Sequence, residues 1–213
     1  MTQPTEQWRA ILEIVERARK TTGHFAVASV DRHGIPNITP VGTVFFREDG
    51  TAFYFDRYTR ALAENLATNP HVCLLAVDRG PLFWFRSLAL GRFGGAPGVR
   101  LYGTVGPLRR ATAPELDRVR RRVRPMRLLP GGRLLWSGFD QVRDITFTSA
   151  RLVRYPAMMS HLPDIEPGAC ARIRAPPAGS ARRRDSSRAD QGSTGRPAAT
   201  QSWIPSRYLR TLP

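Results

Sequence analysis

Three residues within four positions carry the most suggestive chemistry: Arg57, Thr59 and Arg60, in the stretch DRYTRALAENLATNP at 56–70. From about 60 to 68 the residues are helix formers, and Asn69-Pro70 ends the run. Thr59 stands where it would cap that helix. A helix start has free backbone N–H groups and the positive end of the helix dipole. Arg57, just before the start, and Arg60, just inside it, can reach the same place. A hydroxyl, unpaired amides and two guanidiniums would then converge on a spot about one phosphate wide. The plainer alternative is that Thr59 only caps and the arginines are solvated. Tyr54, Phe55 and Tyr58 adjoin the turn and favour a flat apolar ligand that carries a phosphate.

A second candidate is the run RGPLFWFRSLALGRFGGAPG at 79–98, which reads as a loop. It sets Phe83, Trp84 and Phe85 side by side, with Arg86 and Arg92 nearby. Trp84 and Arg86 are the candidate substrate contacts, suited to an aromatic or anionic molecule. The competing reading is a plug over one end of the fold, and Trp136 in RLLWSGFD has the same two readings. No catalytic acid, base or nucleophile stands out, so the catalytic residues are unassigned. The histidines are scattered: His24 and His71 begin strand-like runs, His33 sits in a turn, and His161 lies in MMSHLP. Gly91, Gly94 and Gly95 do not lead from a strand into a helix, which rejects a dinucleotide fingerprint. Cys73 and Cys170 lie far apart, which argues against a disulfide framework or a zinc site. Cys73, in an apolar run, is expected to be buried.

The surrounding helices and strands can be read from periodicity. A helical stripe of Trp8, Ile11, Leu12 and Val15 predicts a helix over 6–22, stopped by Gly23. Strand-like runs follow at 24–31, 35–46, 51–55, 71–78, 99–110 and 142–155. Pro36 and Pro40 place the second of these at an edge or a strand start, and Glu48-Asp49-Gly50 is a hairpin turn. Thr112-Ala113-Pro114-Glu115 is a capping box that opens a helix with Leu116, Val119 and Val123 inside and arginines outside. About six antiparallel strands with flanking helices suggest a mainly β fold, a small barrel.

The chain has 213 residues and a formal charge of +16. That charge first suggests nucleic acid. From Gly168 onward, however, nine arginines stand against Asp185 and Asp190, so +7 of it belongs to the C-terminal region. Lys20 is the single lysine. This distribution argues against sequence-driven nucleic-acid binding. The domain is expected to span 1–166. Residues 167–213, rich in Pro, Ala, Arg, Ser and Gly without periodicity, are expected to be a disordered tail. No apolar run reaches the roughly 18–20 residues of a membrane span, and the N-terminus lacks a secretory pattern. A cytoplasmic location is expected.

Taken in order, these pieces resemble the FMN-binding split barrel of the pyridoxamine 5′-phosphate oxidase-like family. FAVASVDRHGIPNITPVGTVF resembles its first hairpin, and DGTAFYF its next strand. YTRALAENLATNPHVCLL resembles its phosphate-binding helix, Asn-Pro stop and following strand. GVRLYGTV resembles a later barrel strand, and DITFTSARLVRYPAMMSHLP the closing strand. The resemblance covers about residues 8–165. It implies that Thr59 and Arg60 hold the flavin phosphate. A second basic residue often follows in the family; here Ala61 stands, with Arg57 as a substitute. It implies too that Tyr54 and Phe55 line the cofactor, and that the strand of Thr39, Pro40, Val41 and Gly42 runs along the ring edge.

The function so implied is a flavin-dependent oxidoreductase that passes electrons to a small-molecule substrate, as a homodimer with flavin between the subunits. The alternatives are a reductase using the deazaflavin coenzyme on the same barrel, favoured by Arg86, Arg92 and Arg100, or a non-enzymatic flavin- or haem-binding protein. The Arg-x-His substrate motif of true pyridoxamine phosphate oxidases is missing; Arg151, Arg154 and His161 have the wrong spacing.

Overall fold

In the computed structural model, residues 4–136, 138–165 and 170 are described. The expected tail, 167–213, lies outside them apart from Cys170. Seven strands of the described residues form one antiparallel sheet: β1 (Phe25–Val30), β2 (Pro36–Val41), β3 (Val44–Phe46), β4 (Thr51–Phe55), β5 (His71–Val77), β6 (Gly98–Arg110) and β7 (Gln141–Val153), in the order β2-β1-β5-β6-β7-β4-β3. The two edge strands, β2 and β3, are separated in sequence only by Gly42 and Thr43. Three Cα steps reach at most about 11 Å, so the two ends of the sheet must curl toward each other. The result is the split barrel expected of a mainly β chain.

The run at 35–46 is therefore two strands rather than one. Arg122 Nη1 donates to the carbonyls of Gly42 and Val44 at 3.0 and 2.7 Å and holds the break. Thr43 Oγ1 donates to the Phe55 carbonyl at 3.3 Å. Burial pushes the Arg122 guanidinium down to about 10, and its face lies 3.9 Å from the Phe45 ring centroid.

Register explains which side chains go inside. Val27, Leu74, Leu101 and Ala150 form one row across four strands, all buried. Their neighbours make rows on the opposite face: Ala28–Cys73–Tyr102–Ser149, and Ala26–Leu75–Arg100–Arg151. Helix α1 (Pro4–Thr22) adds Trp8, Ile11, Ile14, Val15 and Ala18 to the inner core. Trp8 Nε1 donates to the Arg47 carbonyl at 3.0 Å. Helix α2 (Arg60–Leu66) contributes Leu62 and Leu66 to the same core, and Asn65 Nδ2 donates to Ser29 Oγ at 2.9 Å. Cys170 is the buried cysteine of that core, whereas Cys73, expected to be buried, is only half-buried on the outer row.

A second apolar cluster lies on the other face of β3, β4 and β7. Phe45, Phe53, Phe55 and Val142 pack there against Val119 and Val123 of α4 (Ala113–Val123). The capping box holds the start of α4: Thr112 N donates to Glu115 Oε2 at 2.9 Å. Gly103 sits at a register shift between β6 and β7, where a β-carbon would overlap the Thr146 carbonyl oxygen.

The stretch 79–98 departs from its reading as a loop. Pro81–Ala89 is a helix, α3. Phe83, Trp84 and Ser87 face inward at helical spacing, while Leu82, Phe85 and Leu88 are exposed. Apolar residues on both faces leave no amphipathic pattern to read. Three short elements also escaped the periodicity: a 3₁₀ turn at Met126–Leu128, α5 (Pro130–Leu135) and α6 (Pro156–Met159). Among the described residues no helix is long and apolar enough to cross a membrane.

Candidate functional site

The turn between β4 and α2 is tight. Tyr58 has φ 62°, a left-handed conformation uncommon for a bulky residue. The Arg57 amide donates to the Phe55 carbonyl at 3.0 Å, and the Asp56 amide to the Gln141 carbonyl at 3.1 Å. Asp56 organises the turn. Its Oδ2 accepts from Arg143 Nε at 2.6 Å, and its Oδ1 accepts from the Thr59 hydroxyl.

Thr59 occupies the N-cap position of α2 and is buried, yet its side chain does not cap the helix. The buried, Arg-paired carboxylate three residues upstream offers the hydroxyl a charged acceptor, and charge-assisted bonds are the stronger kind. The expected cap bond is thus replaced by a side-chain clasp. The amides of Arg60, Ala61 and Leu62 precede the first helical bond, Ala63 N to Thr59 O at 2.8 Å.

The two arginines take separate partners. Arg57 Nη1 donates to the Gly138 carbonyl at 2.6 Å, and its guanidinium lies 4.9 Å from the Tyr58 ring centroid. Its Nε is buried without a hydrogen-bond partner. Arg60 extends into solvent, 92% exposed, and its Nε donates to Glu64 Oε1 at 2.8 Å.

Tyr54 and Phe55 point to opposite faces, as consecutive strand residues must. Tyr54 lies in the inner core, and its hydroxyl is buried without a partner. Burial, reinforced by the Asp56 carboxylate, pushes that hydroxyl well above the usual range, against the pull of Arg143. Phe55 belongs to the cluster under α4. On β2, Thr39 and Val41 pair with Val27 and Phe25 and share their inward side. Thr39 is half-buried and Val41 buried, whereas Pro36, Ile38 and Pro40 are exposed. A ligand along this edge would meet backbone more than side chains.

Trp84 and Arg86 lie together on α3 but do different things. The Trp84 indole donates to the Asp78 carbonyl at 2.7 Å and meets Phe93 and Tyr155 edge-on, with centroids 5.3 and 5.7 Å apart. It packs against the inner core. Arg86 lines a groove of about 500 Å3 with Arg17, Phe83, Arg92, Phe93 and His161. Sequence reasoning missed Arg17 and Asp78 here, because α1 and the end of β5 meet only in the fold. Arg17 Nη2 donates to the Ala96 carbonyl at 2.8 Å, and its Nε lies 3.4 Å from Asp78 Oδ2.

The sequence model of the pyridoxamine 5′-phosphate oxidase family matches residues 6–143, well over half of the chain and all of the turn at 56–60. The chain belongs to this family. Solved structures similar to this pyridoxamine 5′-phosphate oxidase family member include an FMN-binding protein from Syntrophomonas wolfei. It is 13% identical, covers 70% of this chain and 94% of its own, and has a TM-score of 0.45. A protein related to general stress protein 26, of the pyridoxinephosphate oxidase family, from Clostridium acetobutylicum is 18% identical, covering 74% and 92%, with a TM-score of 0.43. HutZ, the haem storage protein of Vibrio cholerae, is 14% identical, covering 63% and 88%, with a TM-score of 0.39. No curated protein matches the family member significantly in sequence.

Proposed function

We propose that the chain is an FMN-dependent oxidoreductase that acts on a small organic substrate as a cytoplasmic homodimer. The observation that carries this reading is the family match across residues 6–143, which takes in a turn able to receive a phosphate. That turn supplies three groups. The amides of Arg60, Ala61 and Leu62 lack a side-chain cap. Arg57 Nε is a buried donor that an anionic oxygen would satisfy. Arg60 is held only by an exposed pair with Glu64, and such a helix pair contributes about 0.3–0.5 kcal/mol, so its guanidinium can swing at little cost. Thr59 acts differently from a direct ligand: its hydroxyl fixes Asp56, and Asp56 fixes Arg143.

Bound FMN supplies hydride or electron transfer; the protein supplies binding and orientation. The outer rows Ala28–Cys73–Tyr102–Ser149 and Ala26–Leu75–Arg100–Arg151 offer the surface on which a second subunit would complete the cofactor site. Two cysteines far apart in the chain suit a reducing compartment.

Flavin fluorescence titration tests the reading. Arg60→Ala should weaken FMN binding by about 10- to 100-fold, from the roughly 1.5–3 kcal/mol of one charge-assisted bond. Thr59→Ala should weaken it less. If the Thr59→Ala/Arg60→Ala double variant binds FMN as tightly as the parent, the phosphate is held elsewhere.

A further inference from the structure

The groove beside α3 carries features that the flavin reading does not use. Its lining includes none of the residues of the 56–60 turn. Its floor is apolar: Phe83 and Phe93 lie 5.7 Å apart between centroids, tilted by 31°. Arg17 lies with its guanidinium 5.5 Å from the Phe83 ring centroid, its charge balanced by the buried Asp78. Arg86 and Arg92 line the same concavity, and no carboxylate lines it with them. Neither has an ion pair among the described residues. His161 Nε2 lies 2.9 Å from the Phe93 carbonyl oxygen. A carbonyl only accepts, so Nε2 carries the proton and the ring is fixed at the rim.

We propose that this groove binds a small organic anion: a flat apolar body bearing a phosphate or carboxylate, held within one subunit and apart from the flavin. Three features converge on that chemistry. The volume, about 500 Å3, falls in the range of small-molecule sites, roughly 300–1,000 Å3. The two uncompensated guanidiniums give the concavity a positive potential, which low-dielectric walls concentrate. Each can take a carboxylate or phosphate through two parallel N–H bonds. The aromatic floor receives the apolar part, which a free inorganic anion would leave unused.

The floor is also built rather than incidental. Ser87, buried in α3, donates to the Phe83 carbonyl at 2.8 Å. The Arg92 amide donates to the Ser87 carbonyl at 3.1 Å, and the Phe93 amide to the Met158 carbonyl at 3.1 Å. These bonds fix the backbone that carries Arg92 and Phe93 against α3 and α6, so the groove is preformed.

Isothermal titration of the full-length protein tests this with three probes: phenyl phosphate, benzoate and neutral benzyl alcohol. Either anion should bind, at least tenfold tighter than benzyl alcohol. The tighter of the two shows whether the site takes phosphate or carboxylate. Arg86→Gln/Arg92→Gln should weaken the preferred anion at least tenfold. Arg121→Gln/Arg124→Gln, the same charge loss at the C-terminal end of α4, should change it less than twofold. FMN affinity of Arg86→Gln/Arg92→Gln should stay within twofold of the parent, which separates this site from the flavin site. Both side chains are exposed, so the variant keeps its fold. The inference is overturned if neither anion binds, if benzyl alcohol binds as tightly, or if the Arg86/Arg92 variant binds the anion like the parent.

Discussion

Two arginine clusters in this barrel have opposite electrostatics. At the α4 end, Arg47 and Arg109 share Glu115 and Asp144. Arg109 reaches both carboxylates at 2.6–2.9 Å, and Arg47 reaches both at 2.9 Å. Two positive charges meet two negative ones, and the Thr112 amide adds a further bond to Glu115. In the α3 groove, Asp78 answers Arg17 alone, and Arg86 and Arg92 face the concavity uncompensated. The first cluster satisfies itself and ties the residue after β3 to β6, β7 and α4. The second has charge left over for a ligand. A high arginine content therefore says little until each guanidinium has been matched to its carboxylate.

The comparison breaks first at Glu115, whose side chain is only 9% exposed. Glu115→Gln leaves Arg47 and Arg109 with Asp144 as their one shared carboxylate and weakens the α4 cap. It should destabilise the protein by about 3 kcal/mol in urea unfolding, as for removal of one partner from a buried pair. A loss below about 0.5 kcal/mol would make the cluster decorative. Arg109→Met should cost somewhat less, about 2 kcal/mol, because Arg47 still reaches both carboxylates.

Acid should reveal the same cluster. The Arg109 guanidinium, more than any other group, holds Glu115 down at about 2 against an ordinary 4.5. A carboxyl whose folded value is depressed stabilises the fold above its unfolded value and loses that contribution as pH falls through the folded one. Stability should therefore decline from about pH 4.5 toward pH 2, and Arg109→Met should move acid unfolding to higher pH. An unchanged acid transition in that variant would contradict the assignment.

The groove should give the smallest stability effect. Arg86→Gln/Arg92→Gln should change unfolding free energy by less than about 0.5 kcal/mol, because neither residue bonds a carboxylate. A gain from relieved repulsion would sharpen the contrast, and a loss above 1 kcal/mol would break it.

Much of the barrel was legible because alternation and turns are local signals. TAFYF reads as a strand, and the strand is Thr51–Phe55. The capping box at Thr112 forms as written in the residues. The helix at Pro81–Ala89 was not legible, because its exposed face is as apolar as its buried one and Gly80-Pro81 reads as a loop. The split at Gly42-Thr43 was hidden too, since its cause includes Arg122, 78 residues away from Val44. At the candidate site the types were readable but the partners were not. Thr59 prefers Asp56 over the helix amides because Arg143, 87 residues on, makes that carboxylate tolerable in a buried place. The left-handed Tyr58 gives no sequence signal at all, since such turns normally call for Gly or Asn.

This barrel is proposed to carry a flavin mononucleotide. The most direct measurement is mass identification of the chromophore released from the purified full-length protein by denaturation. FMN in near-equal ratio to protein chains is the predicted result; haem, a deazaflavin, or no chromophore together with no FMN uptake on titration would contradict it.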